Sequence, residues 1–421
     1  MIWIMRCCAI FKKGTDRVST ISDHETKPDD ALARVNVLRL AAAQALAGAN
    51  SIVIMTTGAI VGSMLAPSLA LATAPVSIYV VGTAVGTLPV GYIARRYGRK
   101  ATFYFGTSAG ILVSILASSA IYLGSFALFC VATFIGGFYQ AVAQSFRFAA
   151  TDTASPAFRP KAISWVMTGG VFAGVLGPQL VNLTMDLWAP YLFMVSFAAQ
   201  GVVAVVCMLV LSGTSLPKPV AGGAGPKGRP LREIALQPRF IAAVLSGIVS
   251  YAMMNLLMTS APLAMKLCGL SLSDANWGIQ WHVIAMFLPS FWTGTLIATF
   301  GAARIVTIGL LLIVAAALIN LHGLTVAHFW SALVLLGVGW NFGFIGASSL
   351  VVETHRPEER NRVQSFNDFL VFGSMAVGSF ASGKLLADFG WDAVNLVIFP
   401  LVSAALVVLL LVARKPDRSA T

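Results

Sequence analysis

Polar side chains inside long apolar segments are the residues of this chain best suited to bind a solute. Tyr139 and Gln140 lie in one such segment, and Trp340 and Asn341 lie 201 positions later in another. An aromatic ring stacks on flat molecules, and an amide offers both a hydrogen-bond donor and an acceptor. Because polar groups are costly in hydrocarbon, we predict that these four side chains contact a flat, neutral or weakly charged heterocycle.

Other polar or aromatic residues in apolar segments extend this candidate site. Tyr251 and Asn255 are four positions apart, so they share one face of a helix. The complete predicted binding set is Asn50, Tyr139, Gln140, Tyr251, Asn255, Trp281, Trp340 and Asn341. For each residue the alternative is packing, with an aromatic filling a gap and an amide bonded to a neighbouring helix.

Charged side chains are rare within the apolar segments. Asp368 lies about two turns inside one of them, and Arg147 lies at the inner end of another. A carboxyl group buried there is able to take up a proton, which makes Asp368 a candidate for coupling transport to protons. Two alternatives stay open: Asp368 is a structural partner of Arg147 or Arg362, or Arg147 binds an anionic cargo.

The elements that must position these residues are membrane-spanning helices. Hydrophobic residues make up 57% of the 421 residues and charged residues only 10%, well below the charged share of about 25% in soluble domains. Segments of about 20 apolar residues are long enough to cross a bilayer. The sequence predicts twelve such spans, at 37–64, 71–94, 101–122, 126–148, 162–183, 190–212, 240–263, 277–299, 303–321, 327–351, 363–387 and 392–413.

An internal repeat indicates that the chain contains two copies of one membrane unit. Asp152-Thr153, Pro156, Arg159, Lys161 and Ser164 recur 201 positions later as Glu353-Thr354, Pro357, Arg360, Arg362 and Ser365. Gly91 and Gly98 recur 203 positions later as Gly294 and Gly301. Duplicated halves with a binding site at their interface are typical of secondary transporters. We therefore predict an all-α membrane protein with twelve transmembrane helices in two pseudo-symmetric six-helix bundles.

The distribution of basic residues predicts the topology. Of the 28 Lys and Arg residues, all except Lys266 and Lys384 fall in tails, loops and helix ends on one predicted face. An excess of basic residues marks the cytoplasmic side, so both termini are expected in the cytoplasm. The net charge of +12 then reflects topology and contact with anionic lipid rather than nucleic-acid binding.

The predicted spans divide the chain into five parts. We expect a cytoplasmic tail over 1–36, bundles over 37–212 and 240–413, a linker over 213–239 and a second tail over 414–421. The linker is rich in Pro and Gly, which predicts a plain tether between the halves. The alternative is that its end, Leu231 to Leu236, forms a short helix at the membrane surface.

One loop motif resembles the signature of the major facilitator superfamily. The stretch from Gly91 to Lys100 is similar to that family's glycine, three residues, Asp-Arg, one residue, Gly-Arg-Lys, except that Arg95 stands where the family has Asp. The resemblance implies a cytoplasmic latch between the two halves, with Gly91, Arg96, Gly98 and Arg99 in gating roles. The latch then takes its acid from elsewhere, with Glu353, Glu358 and Glu359 as candidate partners, or it is weaker. The alternative for these three acids is that they balance Arg356, Arg360 and Arg362 at a solvated face.

A second set of motifs is similar to the bacterial riboflavin transporters of the same superfamily. The set comprises Met254-Asn255, Ala261 to Met265, Gln280-Trp281-His282, Gly339-Trp340-Asn341 and Phe366-Asn367-Asp368. This resemblance implies riboflavin uptake through a bacterial inner membrane, with the small molecule and the bilayer as partners and the protein as a monomer. It agrees with the aromatic and amide pairs, because isoalloxazine is flat and hydrogen-bonds along one edge.

Three other functions stay open from the sequence. Proton-coupled efflux of drugs or metabolites requires a working acid such as Asp368, and uptake of an anion requires a cation such as Arg147. The third is a non-transporting scaffold or receptor with the same fold. No metal-ligand cluster, phosphate-binding loop or nucleophile motif occurs in the sequence, so we expect neither an enzyme nor a cofactor.

Overall fold

The structure, a computed structural model, describes residues 30–68, 71–217 and 228–413. Regular structure within these ranges is entirely helical. The helices are α1 Asp30–Leu65, α2 Ala74–Tyr97, α3 Arg99–Tyr122, α4 Phe126–Ala149, α5 Arg159–Met167, α6 Gly169–Thr184, α7 Met194–Ser212, α8 Leu231–Ala235, α9 Pro238–Leu267, α10 Leu272–Phe287, α11 Ser290–Phe300, α12 Ala302–His322, α13 Val326–Val352, α14 Arg360–Leu396 and α15 Ile398–Ala413. The predictions for 1–29, 218–227 and 414–421 lie outside the described residues.

Most of these helices are long and apolar enough to cross a membrane. Ten spans meet that test among the described residues, and the pair Trp277–Phe287 and Ser290–Phe300, bent by 42°, makes an eleventh if it is one span. The predicted eleventh span, 363–387, is helical within α14 but is not among these ten. The chain is therefore a multi-pass membrane protein.

Helix ends follow the local sequence. Ser125 caps α4, because its hydroxyl accepts a hydrogen bond from the Leu128 amide at 3.3 Å. Ser271 caps α10 in the same way and accepts from the Asp274 amide at 3.0 Å.

The structure changes the predicted bounds of two helices. Helix α1 begins seven residues before the predicted start of the first span, and α14 runs on through Gly390, where a φ of 79° breaks the helix between the last two predicted spans. The end of the predicted tether is a short helix, α8 Leu231–Ala235, which was the alternative interpretation of that segment.

Two repeated glycines make equivalent turns. Gly98, with a φ of 89°, separates α2 from α3, and Gly301, with a φ of 86°, separates α11 from α12. Only glycine adopts such backbone angles without strain, which explains why a glycine stands at each of these two turns. The 203-residue repeat in the sequence is thus a repeat of structure.

The repeated motifs contact each other crosswise between the two halves of the chain. Gly91 of α2 packs on Ser365 of α14, and Gly294 of α11 packs on Ser164 of α5. The Gly294 amide donates a hydrogen bond to the Ser164 hydroxyl at 2.9 Å. Because Ser164 and Ser365 are equivalent in the repeat, these two contacts are copies of one interaction. Together they hold the two halves of the chain against each other at the end of the helices that carries the repeated loop motifs.

Helices within each half cross with almost no side chain between them. A Cβ atom added at Gly137 of α4 would lie 2.4 Å from the carbonyl carbon of Gly82 in α2. In the second half, a Cβ added at Gly309 of α12 would lie 2.5 Å from the Gly343 amide nitrogen of α13. Small residues that let backbones approach closely are typical of helix contacts in membranes.

Candidate functional site

A central cavity lies between helices from the two halves of the chain. Its volume is about 210 Å³, by a measure in which about 10–15 Å³ holds one water molecule. Among its lining residues none is charged, and the apolar ones include Met254, Met258 and Met286. The polar and aromatic lining residues are Gln44, Ser51, Tyr79, Thr83, Gln140, Gln144, Tyr251, Asn255, Phe287, Trp340 and Phe372.

One wall of this cavity is aromatic and comes from the second half of the chain. The Tyr251 ring contacts Trp340 edge to face at a centroid distance of 5.5 Å, and Phe372 at 5.3 Å. Phe287 contacts Trp340 at 5.5 Å in the same manner. Such pairs are favourable for aromatic rings and hold each ring in place. The wall is therefore rigid, and a flat molecule can pack against it. The Trp340 ring itself is almost fully buried, because Phe344 stacks on it at a centroid distance of 5.2 Å.

The opposite wall is rich in amides and comes from the first half of the chain. Gln140 and Gln144 are four residues apart on α4, and Gln44 and Ser51 are two turns apart on α1, so each pair shares a helix face. The Ser51 hydroxyl donates a hydrogen bond to Gln140 Oε1. This arrangement leaves the Gln140 NH2 group for a molecule in the cavity.

Three buried donors at the cavity lack a hydrogen-bond partner among the described residues. They are the Tyr79 hydroxyl, Asn255 Nδ2 and Trp340 Nε1. Buried polar groups in native proteins are generally hydrogen-bonded to protein, water or ligand. These donors therefore favour a cargo with acceptor atoms, such as ring nitrogens and carbonyl oxygens. In the absence of cargo they can bond to water, which the cargo then displaces.

Only one member of each predicted aromatic–amide pair lines the cavity. On α4 it is Gln140, while Tyr139 packs against Gly110 of α3. On α13 it is Trp340, while Asn341 turns away and donates hydrogen bonds to Met286 O and Ser290 Oγ, both at 2.6 Å. Successive residues of an α-helix point about 100° apart, so one of two neighbours can face the cavity while the other packs against an adjacent helix.

Asn50 and Trp281 also lie outside the cavity lining. Asn50 and Gln200 exchange hydrogen bonds with each other's backbone carbonyls, at 3.2 and 2.9 Å, which joins α1 to α7. Trp281 is 43% exposed and stacks on Trp277, one turn earlier. Of the eight predicted binding residues, the structure brings Gln140, Tyr251, Asn255 and Trp340 together.

Several lining residues were not singled out from the sequence. Gln44 and Gln144 are detectable in principle, because each is one or two turns from another polar residue on the same face. Tyr79 and Phe287 carry a weaker signal, since no charged or amide residue lies one turn away from either of them on the same helix face.

A buried ion pair lies directly below the cavity. Arg147 Nη2 donates to Asp368 Oδ1, which joins α4 to α14, and Arg147 Nε donates to Ser348 Oγ of α13 at 3.2 Å. Arg147 also donates to the backbone and side-chain oxygens of Gln144, a cavity residue. The pairing with Arg147, one of the alternatives left open for Asp368, is the arrangement in the structure.

The loop between α2 and α3 takes its acid from a position that the sequence did not suggest. Arg99 is buried, with Nε 3.0 Å from Asp152 Oδ2 and Nη2 2.6 Å from Gln364 Oε1. Arg360 approaches the same carboxylate at 3.4 Å. The predicted partners Glu353, Glu358 and Glu359 are therefore wrong for Arg99, because the first copy of the repeat supplies the acid. Arg96 is exposed and donates to Tyr92 of its own helix.

Glu359 instead anchors the end of the linker. Its carboxylate accepts hydrogen bonds from Arg229 Nε at 2.9 Å, from Arg229 Nη2 at 2.8 Å and from two backbone amides. The Arg229 guanidinium holds the pKa of the Glu359 carboxyl at about 2, below its ordinary value of 4.5. A lowered pKa in the folded state means that the interaction stabilises the protein above about pH 4.5 and is lost as pH falls towards 2.

We expect Glu359→Gln to destabilise the protein by about 2 kcal/mol at neutral pH, a value reduced because Arg229 is partly exposed. The measurement is the thermal unfolding midpoint of purified protein in detergent. The deficit relative to wild type should persist from pH 7 to pH 5 and shrink as pH falls from about 4.5, where the wild-type advantage disappears. The exposed neighbour Glu358→Gln is the control. An equal decrease of the unfolding midpoint in both variants would contradict the proposal that Glu359 anchors the end of the linker.

The comparisons with known proteins cover most of the chain and agree on one family. The model of the Major Facilitator Superfamily matches residues 40–260 and 243–421. The riboflavin transporter RfnT of Brucella anthropi is 44% identical over 385 residues, which cover 91% of this chain and 97% of that protein. The uncharacterized MFS-type transporter YddS of Bacillus subtilis is 30% identical over 379 residues, covering 85% of each protein.

A solved structure shares the fold. The E. coli fucose:proton symporter FucP superposes with a TM-score of 0.71 over 92% of this chain and 99% of its own, at 14% sequence identity. At that identity the likeness concerns the fold alone. The cavity between the two halves of this chain therefore lies within a fold that is also found in a sugar symporter.

Proposed function

Because this chain belongs to the major facilitator superfamily, whose members are transporters rather than enzymes, we propose that it takes up riboflavin across a bacterial inner membrane by alternating access. The observation that carries this proposal is the uncharged cavity with an aromatic wall facing an amide wall. Riboflavin has a flat three-ring system, an edge of carbonyl and ring-nitrogen acceptors, and an uncharged ribityl chain. The 44% identity to a riboflavin transporter supports the same cargo.

Four of the cavity residues have clear roles in this proposal. Trp340 and Tyr251 stack on or border the isoalloxazine ring, and Asn255 Nδ2 and Trp340 Nε1 donate to its acceptor edge. Gln140 of the opposite wall offers its NH2 group to the other side of the cargo. Tyr139, Asn341, Asn50 and Trp281 are proposed to hold the surrounding helices rather than to touch riboflavin.

The proposed architecture has twelve spans in two six-helix bundles, both termini in the cytoplasm, and a monomer as the working unit. The crosswise contacts of Gly91 with Ser365 and of Gly294 with Ser164 support two related bundles. They lie at the end of the helices that carries the basic residues, which marks the cytoplasmic side. The structure then represents a state closed to the cytoplasm, with Gly91, Gly98, Arg99 and Asp152 in the closure.

Proton-coupled efflux loses its main support. The candidate acid Asp368 is ion-paired with Arg147, and no carboxylate lines the cavity in the described part of the chain. An ion-paired carboxylate holds its charge more strongly than a free buried acid, which makes it a poorer proton carrier at neutral pH. We therefore favour uptake of a neutral cargo.

Uptake of labelled riboflavin tests the proposal. A riboflavin-auxotrophic bacterium expressing this chain should accumulate the label and grow at low external riboflavin, whereas the empty vector should allow neither. Equal accumulation in both strains, with the protein present in the membrane, would rule out riboflavin as cargo and leave the transporter fold standing.

Replacing Trp340 with alanine should lower riboflavin uptake at sub-saturating concentration at least about tenfold, because the stacking surface and one donor are lost together. Trp340→Phe keeps a ring but removes the Nε1 donor, so its loss should be smaller. Both variants are compared at equal membrane abundance, measured by immunoblot. A Phe variant as inactive as the Ala variant would show that stacking is not the main contribution.

A further inference from the structure

The described cavity has no charged lining residue, although a cation lies just below it. Arg147 donates hydrogen bonds to the backbone and side-chain oxygens of Gln144, which lines the cavity. The guanidinium also lies 4.4 Å from the centre of the Phe148 ring and 4.7 Å from that of Phe344. These rings are neutral, and so is Ser348. Among the described residues, Asp368 is the carboxylate that pairs with Arg147.

We propose that Asp368 is a specificity-determining residue that restricts this transporter to uncharged flavins. By cancelling the charge of Arg147, it keeps the floor of the cavity neutral. Riboflavin then enters, and its phosphate ester (FMN) is excluded. The inference rests on the proposed function and deepens it, because it names the class of flavin that the same cavity accepts.

The physical reason is the cost of dehydrating a phosphate without a cation to pair with it. A phosphate monoester carries a charge of about −1.5 to −2 at pH 7. In the cavity it would meet amides, hydroxyls, ring donors and methionines, which replace its hydration shell poorly. The ring system of FMN is the same as that of riboflavin, so stacking against Trp340 and Tyr251 is equal for both. Discrimination between the two therefore falls on the charge at the cavity floor.

Removal of the Asp368 charge should weaken this preference for riboflavin over FMN. Asp368→Asn keeps the shape of the side chain and leaves the Arg147 guanidinium without a counter-charge, one residue below the cavity. Phosphate oxygens and guanidinium form strong, often bidentate hydrogen bonds. An anionic flavin would then gain a partner that the wild-type protein denies it.

Equilibrium binding to purified protein in detergent measures the effect without requiring transport. Quenching of riboflavin fluorescence by the aromatic wall gives the affinity for riboflavin, and displacement by FMN gives the competing affinity. For the wild type, FMN should bind at least about 100-fold more weakly than riboflavin. In Asp368→Asn the difference between the riboflavin and FMN affinities should decrease about tenfold or more.

Two matched variants separate charge from structure. Asp368→Glu retains the negative charge and should exclude FMN, as the wild type does. The double variant Arg147→Gln/Asp368→Asn removes both charges and should also exclude FMN, although it has lost the ion pair. If Asp368→Asn cannot be purified, Asp368→Ser takes its place in the same comparison, because it also leaves Arg147 without a counter-charge and must narrow the difference between riboflavin and FMN binding.

Several results would overturn the inference. Displacement of riboflavin by FMN at equal concentration in the wild type would show that the cavity accepts a dianion. A large preference for riboflavin over FMN that is unchanged in Asp368→Asn would show that Asp368 does not set this preference. Failure of the wild type to bind riboflavin would sink the proposed function and this inference with it, whereas riboflavin binding with equal FMN binding sinks the inference alone.

Discussion

Gly91→Ala should reach the membrane at a normal level and lose riboflavin uptake about tenfold or more. A Cβ atom at this position would lie 2.2 Å from Ser365 Oγ and 2.5 Å from Ser365 Cβ. The Ser365 Cβ is fixed to the backbone of α14, so α2 and α14 must separate. Overpacking of this kind costs about 1–3 kcal/mol, and here it applies only in the state in which the two helices touch. The equilibrium then shifts about 10- to 100-fold away from the cytoplasm-closed state.

A second-site change provides the matched control for this prediction. Ser365→Gly removes both atoms that a new methyl group at Gly91 would strike and leaves the Asn361 carbonyl oxygen at 3.3 Å as the nearest contact. Gly91→Ala/Ser365→Gly should therefore recover most of the uptake, whereas Ser365→Gly alone should have a small effect. Uptake is measured at matched membrane abundance. An inactive double variant would show that the glycine matters for some reason other than its contact with Ser365.

Gly137→Ala should prevent accumulation of folded protein rather than impair transport. The new Cβ would lie 2.4 Å from the Gly82 carbonyl carbon, 2.4 Å from the Thr83 nitrogen and 2.5 Å from the Tyr79 carbonyl oxygen. All three are backbone atoms of α2, so no side chain can move aside. We expect a cost of about 3 kcal/mol or more and a loss of most of the protein from the membrane.

A glycine in open space offers the comparison for Gly137. An added Cβ at Gly373 of α14 meets nothing within 4 Å, so Gly373→Ala should leave membrane abundance unchanged. Abundance after detergent extraction, followed by size-exclusion chromatography with a fluorescent fusion, measures both variants. A Gly137→Ala protein that elutes as a stable monodisperse peak would contradict the tight crossing of α2 and α4.

Much of the fold is predictable from this sequence because its signals are local. Apolar segments of about 20 residues specify the spans, and Gly98 and Gly301 specify turns at which only glycine is unstrained. The repeat also predicted that Gly91 and Gly294 are equivalent. It could not show that each packs against the repeated serine of the other half, because contacts between distant segments leave no periodic trace in a single sequence.

The candidate site was harder to predict because helices buried in a membrane are apolar on every side. In a water-soluble helix the polar face marks the outside, and the direction of each side chain follows. Helix α13 lacks such a reference, so Trp340 and Asn341 were equal candidates. On α4 the face shared by Gln140, Gln144 and Arg147 indicates Gln140 rather than Tyr139. The partner of Arg99 was missed for a related reason, since Asp152 belongs to the half of the chain in which no partner was sought.

The hydrogen bond from Arg147 to Ser348 joins two positions that are equivalent by the 201-residue repeat. Equivalent positions that touch lie on the axis relating two copies, and in a dimer of identical subunits each would face its own duplicate. An arginine there would meet a second arginine in the membrane interior. The arrangement seen here, one arginine at position 147 with a serine at the equivalent position 348, requires that the two positions carry different residues. Such a difference arises only after the gene has been duplicated and fused, because each half can then change independently of the other.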